Sequence, residues 1–304
     1  MQSFETSIAD KLRNLVSRQQ GGESSPSDAV LIGLIGRSIQ SSRTPMMHER
    51  EGARLGMCYT YILIDFDVLA LRDESLSAVV AAAGDIGFAG LNVTHPFKQR
   101  IIPLLSGLEP QAEAIGAVNT VVFRNGRIIG HNTDSWGFAT SFRNGMAGCS
   151  LKRVIQFGAG GAGAAVAYAL LGLGAENLAV VDTDLAKSRE LASRMAARFG
   201  RPVSATVADP AAVRAATGIV NTTPIGMAKY PGVPFPTDWL SREQWVSDII
   251  YFPQETELLR QAQVVGCRVL PGTGMAIYQA VRAFELFTGV AADPAAMISH
   301  FEAA

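Results

Sequence analysis

An α/β fold is what this 304-residue sequence predicts, and three observations predict it. Short apolar runs alternate with helical patterns along most of the chain, the order expected of strands joined by crossover helices. A glycine-rich turn, Gly158-Ala159-Gly160-Gly161-Ala162-Gly163, stands between the apolar run at 154–157 and an alanine-rich helical stretch. The next apolar run ends at Asp182. Strand, turn, helix, strand and acid in this order read as a Rossmann-like dinucleotide-binding unit. Gly158 permits the tight strand-to-helix turn, Gly160 lets a pyrophosphate approach the backbone, and Gly163 lets helix and strand pack closely, with the helix amides facing the phosphates.

The elements follow in order. Residues 1–29 read as an N-terminal extension, with an amphipathic helix through Phe4, Ile8, Leu12 and Leu15 ahead of a Gly/Ser/Pro linker at 21–26. Strands are expected at 30–35, 59–64, 88–93 and 118–123. Asn125-Gly126 then supplies a hairpin turn to 128–130, because both residues tolerate positive φ, so one edge of this sheet is antiparallel. These elements make a first α/β domain over 30–134. The second series places strands at 154–157, 178–182, 203–207, 218–221, 246–250 and 268–270, a Rossmann-like domain over 135–272. Asp184 suits the N-cap of a helix starting near Leu185, whose Leu185, Leu191, Met195, Ala196 and Phe199 would cover the sheet. After Pro271-Gly272 the chain reads as helical, and Ala276, Ile277, Ala280, Val281, Phe284 and Phe287 would return residues 273–304 to the first domain and complete it.

Composition narrows the partners. The chain carries 26 Lys+Arg against 27 Asp+Glu with no basic run, which argues against nucleic acid and against a polybasic membrane anchor. Cys58, Cys149 and Cys267 are far apart and odd in number, so a disulfide framework or zinc ribbon is not expected and a reducing cytoplasm fits. The four histidines show no ligand spacing, which leaves no case for a metal. No secretory signal is legible at the N-terminus. The apolar stretch at 154–175 imitates a membrane span, but the glycine turn inside it makes a buried strand and helix the better reading. Small polar ligands are the partners expected, and assembly into a homo-oligomer is left open.

Asp182 bears on the choice of dinucleotide. A carboxylate there accepts hydrogen bonds from the adenosine ribose hydroxyls and repels a 2′-phosphate, and Thr183-Asp184 stand where an NADP site would place an arginine, so NAD is favoured. In the first domain, polar residues follow directly on buried strands in Asn92-Val93-Thr94-His95-Pro96-Phe97-Lys98, Gly116-Ala117-Val118-Asn119-Thr120 and Asn132-Thr133-Asp134. Singly these read as turns and caps, Asp134 as the N-cap of a helix near Ser135. Beside a cofactor unit, a lysine, a carboxylate and several amides and hydroxyls are the inventory for oxidising a polyhydroxylated acid.

Over residues 30–304 the chain resembles the shikimate dehydrogenase family, in particular its NAD-dependent quinate/shikimate dehydrogenase branch. The resemblance rests on those three segments, on Ser42-Arg43-Thr44-Pro45, the glycine turn, Asn221-Thr222-Thr223-Pro224-Ile225-Gly226-Met227, Asp248-Ile249-Ile250-Tyr251, and Gly272-Thr273-Gly274-Met275 with Gln279. It implies Lys98 and Asp134 as the catalytic pair. It implies Ser42 and Thr44 at the substrate carboxylate, Asn92, Thr94, Asn119 and Gln279 at ring hydroxyls, and Tyr251 near the carboxylate end, with a core aromatic as the other reading of Tyr251. On the nucleotide side it implies Gly158 to Gly163 with Ala159, Gly160, Gly161 and Ala162, and also Asp182, Asn221, Thr222, Thr223, Met227, Gly272 and Met275.

Two departures point to the branch. Biosynthetic members of the family usually carry serine at the place of Thr44 and an Asn-Arg-Thr type NADP site at the place of Asp182-Thr183-Asp184. The expected activity is therefore reversible oxidation of quinate to 3-dehydroquinate and of shikimate to 3-dehydroshikimate with NAD. Two alternatives stay open: a dehydrogenase of an aminoshikimate-like analogue, and a non-catalytic sensor of cyclitol acids.

Overall fold

The computed structural model describes residues 2–20 and 29–303, with side chains described from residue 8 onward; the linker expected at 21–26 lies outside the described residues. The strands are β1 (Val30–Gly36), β2 (Tyr59–Asp65), β3 (Gly90–Val93), β4 (Gly107–Leu108), β5 (Thr120–Arg124), β6 (Arg127–His131), β7 (Arg153–Phe157), β8 (Asn177–Val181), β9 (Val203–Thr206), β10 (Gly218–Asn221), β11 (Trp245–Asp248) and β12 (Arg268–Leu270). The α-helices are α1 (Gln2–Gln19), α2 (Thr44–Arg54), α3 (Leu76–Ile86), α4 (Pro110–Ile115), α5 (Asp134–Gly145), α6 (Gly161–Gly172), α7 (Leu185–Phe199), α8 (Pro210–Ala215), α9 (Glu257–Val265), α10 (Thr273–Thr288) and α11 (Pro294–Glu302). The chain divides into two compact units, Met1–Glu113 with Ala117–Thr133 and Ala280–Ala304, and Ala114–Gly116 with Asp134–Gln279.

The first unit is built on a mixed sheet of order β2-β1-β3-β5-β6-β4. Strands β1, β2 and β3 are parallel, so the segments that follow them emerge at one edge of the sheet. Antiparallel β5 and β6 meet in the Asn125-Gly126 hairpin, with φ +53° and +70°, the positive pair that the turn requires. One face is covered by α1 and α3: Ile8 and Leu12 are buried in a cluster with Ile62, Ile64, Val79, Val80 and Leu91. The period of three to four residues that predicts α1 therefore marks a real apolar stripe. Phe284 and Phe287, from the end of α10, pack with Ile32, Leu34 and Tyr59 in a further cluster of the unit. Glu51 of α2 is wholly buried; it accepts from the Asp293 amide at 2.7 Å and so ties α2 to the start of α11.

The second unit holds a fully parallel sheet of order β12-β11-β10-β7-β8-β9. This is a doubly wound arrangement: strand order runs outward in one direction from β7 and in the other from β10, leaving a switch point between them. Helix α6 is apolar on nearly all sides because it is buried, with Ala164, Ala165, Val166, Ala167, Leu170 and Leu171 all inaccessible. Helix α7 is amphipathic, burying Ser188, Leu191, Ala192 and Met195. Its N-cap is Asp184, whose carboxylate accepts from the amides of Ala186 and Lys187, and it ends at left-handed Gly200. One expectation shifts slightly, and one element had no counterpart in the sequence reading. Asp134 is the first residue of α5 rather than the residue before it, and the two-residue β4 had no sequence signal because a run so short has no period.

Candidate active site

In the first unit, the polar residues singled out from the sequence converge on the edge where β1, β2 and β3 end. Asn92 is the third residue of β3, and Asn119 stands opposite, its carbonyl accepting the Val93 amide at 2.8 Å. Their side chains join a buried network. Asn92 Nδ2 donates to Thr120 Oγ1 at 3.1 Å, Asn119 Nδ2 donates to Thr133 Oγ1 at 2.9 Å, and Asn119 Oδ1 accepts the Thr133 amide at 2.7 Å. Thr94 follows β3 at the same edge. Gly36 makes room for it, since a Cβ there would run into Thr94 Cγ2 and Ile39. Lys98 is half-buried and lies in a turn, not on a helix face; its carbonyl accepts the Val118 amide at 2.7 Å. Ser42 and Thr44 sit in the segment after β1, also half-buried.

Sequence reasoning missed two groups here. Tyr61 donates to Asn92 Oδ1 at 2.7 Å, which fixes the orientation of that amide, yet in the sequence it reads as one more aromatic in an apolar strand. Asp73 receives Arg37 Nε at 2.8 Å and also pairs with Arg100, linking the segment after β1 to the one that carries Lys98. Charges far apart in sequence give no local signal of such a link.

In the second unit the glycine turn lies at the carboxyl end of β7, beside the switch point. Gly158 has φ +102°, and a Cβ there would sit 2.6 Å from Thr222 Oγ1. A Cβ on Gly163 would strike the Gly158 carbonyl and lie 2.9 Å from Thr222 Oγ1. At Gly160 an added Cβ meets nothing within 4 Å. The turn is thus closed against the protein at its first and last glycines and open at the middle one. Thr222 Oγ1 donates to the Phe157 and Gly158 carbonyls at 2.7 and 3.0 Å, and wholly buried Gln156 donates Nε2 to the Gly158 and Gly163 carbonyls, each at 2.9 Å. Gln156 carried no sequence signal beyond its place in an apolar run.

Asp182 follows β8 and leans over the turn: Oδ2 accepts the Ala159 amide at 2.7 Å and Oδ1 accepts the Asp184 amide at 2.9 Å. Oδ1 also accepts Thr183 Oγ1 at 3.4 Å, while Oδ2 keeps a further acceptor position. At the end of β10, Asn221 spends its whole amide on the protein. Its Oδ1 accepts from Thr223 N and Oγ1, and its Nδ2 donates to the Ile225 carbonyl and to Asp248 Oδ1 at 3.1 Å. Asp248 Oδ2 accepts Thr256 Oγ1 at 2.8 Å, and burial pushes the Asp248 carboxyl up to about 6.

The remaining candidates also lie in this unit. Gly272 is pressed against the Ile249 carbonyl, where a Cβ would not fit. Gly137 lets α5 approach the α10 backbone, for a Cβ would lie 2.7 Å from the Met275 carbonyl and the Gln279 amide. That contact sets Met275 and Gln279 relative to the helix opened by Asp134. Met227 is 42% exposed and Tyr251 39%, which removes the reading of Tyr251 as a core aromatic. An open space at Gly160, amides at the start of α6 and an acceptor carboxylate at Asp182 fit a dinucleotide without a 2′-phosphate.

Comparison with known proteins finds relatives along most of the chain. The description "Shikimate dehydrogenase substrate binding domain" matches residues 34–121, and "Shikimate 5'-dehydrogenase C-terminal domain" matches 272–299. The chain is 50% identical over 275 residues to the shikimate dehydrogenase (NADP(+)) of Streptomyces avermitilis, which covers 90% of this chain and 94% of the relative. It is 46% identical over 279 residues to the quinate/shikimate dehydrogenase (NAD(+)) of Corynebacterium efficiens, covering 90% and 98%. Among solved structures, the quinate dehydrogenase from Corynebacterium glutamicum in complex with NAD superposes with a TM-score of 0.86 at 43% identity, covering 91% of this chain and all of that one.

Proposed function

The chain belongs to the shikimate dehydrogenase family, and we propose that it is the NAD-dependent kind of that family, reversibly oxidising quinate to 3-dehydroquinate and shikimate to 3-dehydroshikimate. Overall likeness does not choose the cofactor, since the 50% relative is named for NADP(+) and the 46% relative for NAD(+). The observation that carries the reading is Asp182, held over the glycine turn by Ala159 and Asp184. A 2′-phosphate about 5 Å from that carboxylate would be repelled by about 3 kcal/mol at an effective dielectric near 20, on the order of a hundredfold in affinity.

On this reading the acid and the dinucleotide are held by the residues that the family resemblance implies. Ser42 and Thr44 receive the carboxylate, Asn92, Thr94, Asn119 and Gln279 receive ring hydroxyls, and Tyr251 stands near the carboxylate end. NAD, when bound, takes up the hydride. Lys98 takes the hydroxyl proton, and Asp134 accepts a hydrogen bond from the same hydroxyl and orients it. An amine takes up a proton only from its neutral form. The place of Lys98, half-buried in the turn after β3 at the edge that collects Asn92 and Thr94, supports that role. The three cysteines, all unpaired, fit a cytoplasmic enzyme, and none of the described helices is long and apolar enough to cross a membrane.

The test is a steady-state assay of quinate and shikimate with each nicotinamide cofactor at equal low concentration, repeated on Lys98→Ala. Both acids should turn over, faster with NAD, and the variant should lose about 10²–10⁴-fold in kcat. Faster oxidation of shikimate with NADP would overturn the cofactor assignment, and normal turnover by Lys98→Ala would remove the base.

A further inference from the structure

We propose that Asp65 is the positioning residue for the Ser42 and Thr44 hydroxyls, an inference that rests on the reading that these two receive the substrate carboxylate. Asp65 ends β2 and is 1% exposed, yet among the described residues no lysine or arginine pairs with it; its partners are neutral donors. Oδ1 accepts the amides of Ser38 at 3.2 Å and Asp67 at 3.0 Å. Oδ2 accepts the Ile39 amide and Gln40 Nε2, each at 3.0 Å. Burial by itself would raise this carboxyl, but the hydrogen bonds from Gln40, Ile39, Asp67 and Ser38 outweigh it and hold it below the usual carboxylate range. A charged Asp65 is thus the stable form, and it gathers the start of the 38–44 segment around itself.

From there a chain of hydrogen bonds leads to the Ser42 hydroxyl and the Thr44 backbone. The Ile39 carbonyl accepts the Ser42 amide at 3.0 Å, and Ser42 Oγ accepts the Thr44 amide at 3.3 Å. With a lone pair engaged by Thr44, the Ser42 hydroxyl keeps its proton to donate, which is the polarity a carboxylate ligand needs. Ser38 has φ +53°, a conformation that a residue with a side chain keeps only when its surroundings hold it. Asp65 supplies that hold at the backbone, while Asp67 Oδ2 accepts Ser38 Oγ at 2.9 Å. The far flank is anchored independently, by Arg43 donating to the Phe301 carbonyl at 3.2 Å.

An asparagine at position 65 keeps the shape but turns two acceptor positions into an amide facing two N–H donors. The test compares kcat/KM for quinate with that for quinate methyl ester, which has the same ring hydroxyls and no negative charge. Wild-type enzyme should favour the acid by about tenfold or more. In Asp65→Asn the ratio should fall at least about fivefold, chiefly through KM for the acid, with KM for NAD within about twofold of wild type. A merely structural role would lower acid and ester alike. If Asp65→Asn keeps the wild-type ratio, the positioning role is overturned; if wild type shows no preference for the acid, it is the carboxylate reading of Ser42 and Thr44 that fails. Should Asp65→Asn not fold, Gln40→Ala, which removes one exposed donor to the same carboxylate, should lower the ratio about twofold, and an unchanged ratio there overturns the proposal as well.

Discussion

Gly160→Ala separates what the glycine turn does for the protein from what it does for its ligand. Without ligand, the added methyl meets nothing within 4 Å, and the backbone at φ −73°, ψ −171° is extended, open to any residue. The folding cost is then that of exchanging one helix-capping residue for another, at most about 1 kcal/mol. With a dinucleotide present, the same methyl stands where the pyrophosphate must approach the amides that open α6. Losing one charge-assisted hydrogen bond of about 1.5–3 kcal/mol raises KM for NAD roughly 10- to 150-fold. Initial rates against NAD concentration at saturating quinate measure this, with a thermal melt of the same protein as control. A KM for NAD within twofold of wild type would refute the assignment of this turn as the pyrophosphate site.

Gly163→Ala should behave in the opposite way: its Cβ would press on the Gly158 carbonyl and Thr222, an overpacking of about 1–3 kcal/mol. Tm should drop by roughly 2–4 °C for each kcal/mol, and an unshifted melt would mean that α6 can move off the turn. Asp248 makes stability depend on pH. Its folded pKa of about 6 lies above the usual carboxylate value of 3.8, so the folded state binds the proton more tightly. Its destabilising effect is absent below about pH 4, grows as pH rises through 6 and is constant above. Asp248→Asn should therefore gain on wild type by about 3 kcal/mol between pH 4 and pH 7 in denaturant unfolding, whatever constant offset the asparagine brings. A difference that stays flat with pH would show that folding does not raise the Asp248 carboxyl above its ordinary value.

Those features legible in the sequence share a short reach. The glycine turn, the Asp184 cap and the Asn125-Gly126 hairpin are each set by the backbone needs of a few neighbouring residues, and the structure shows each where the residue types demand it. The edge of the first sheet that collects Asn92, Thr94 and Asn119 was legible because polar residues broke off buried strands at their ends. What stayed hidden depends on pairing between distant strands. Tyr61 reaches Asn92 because β2 and β3 flank β1, and Asp65 meets Ser38 because β1 and β2 end together. Gln156, inside an apolar run, gains its purpose from carbonyls two and seven residues on that turn back over it.

Helix α1 has a practical consequence. It packs against α3 and β2, with Ile8 and Leu12 buried and Lys11 donating to the Leu69 carbonyl at 2.9 Å. A recombinant chain cut back to begin at the first strand would uncover that greasy side of α3, and its poor behaviour in solution would say nothing about the catalytic machinery. Expression trials and inhibitor screens on this protein should keep the leading twenty residues and place affinity tags at the other terminus.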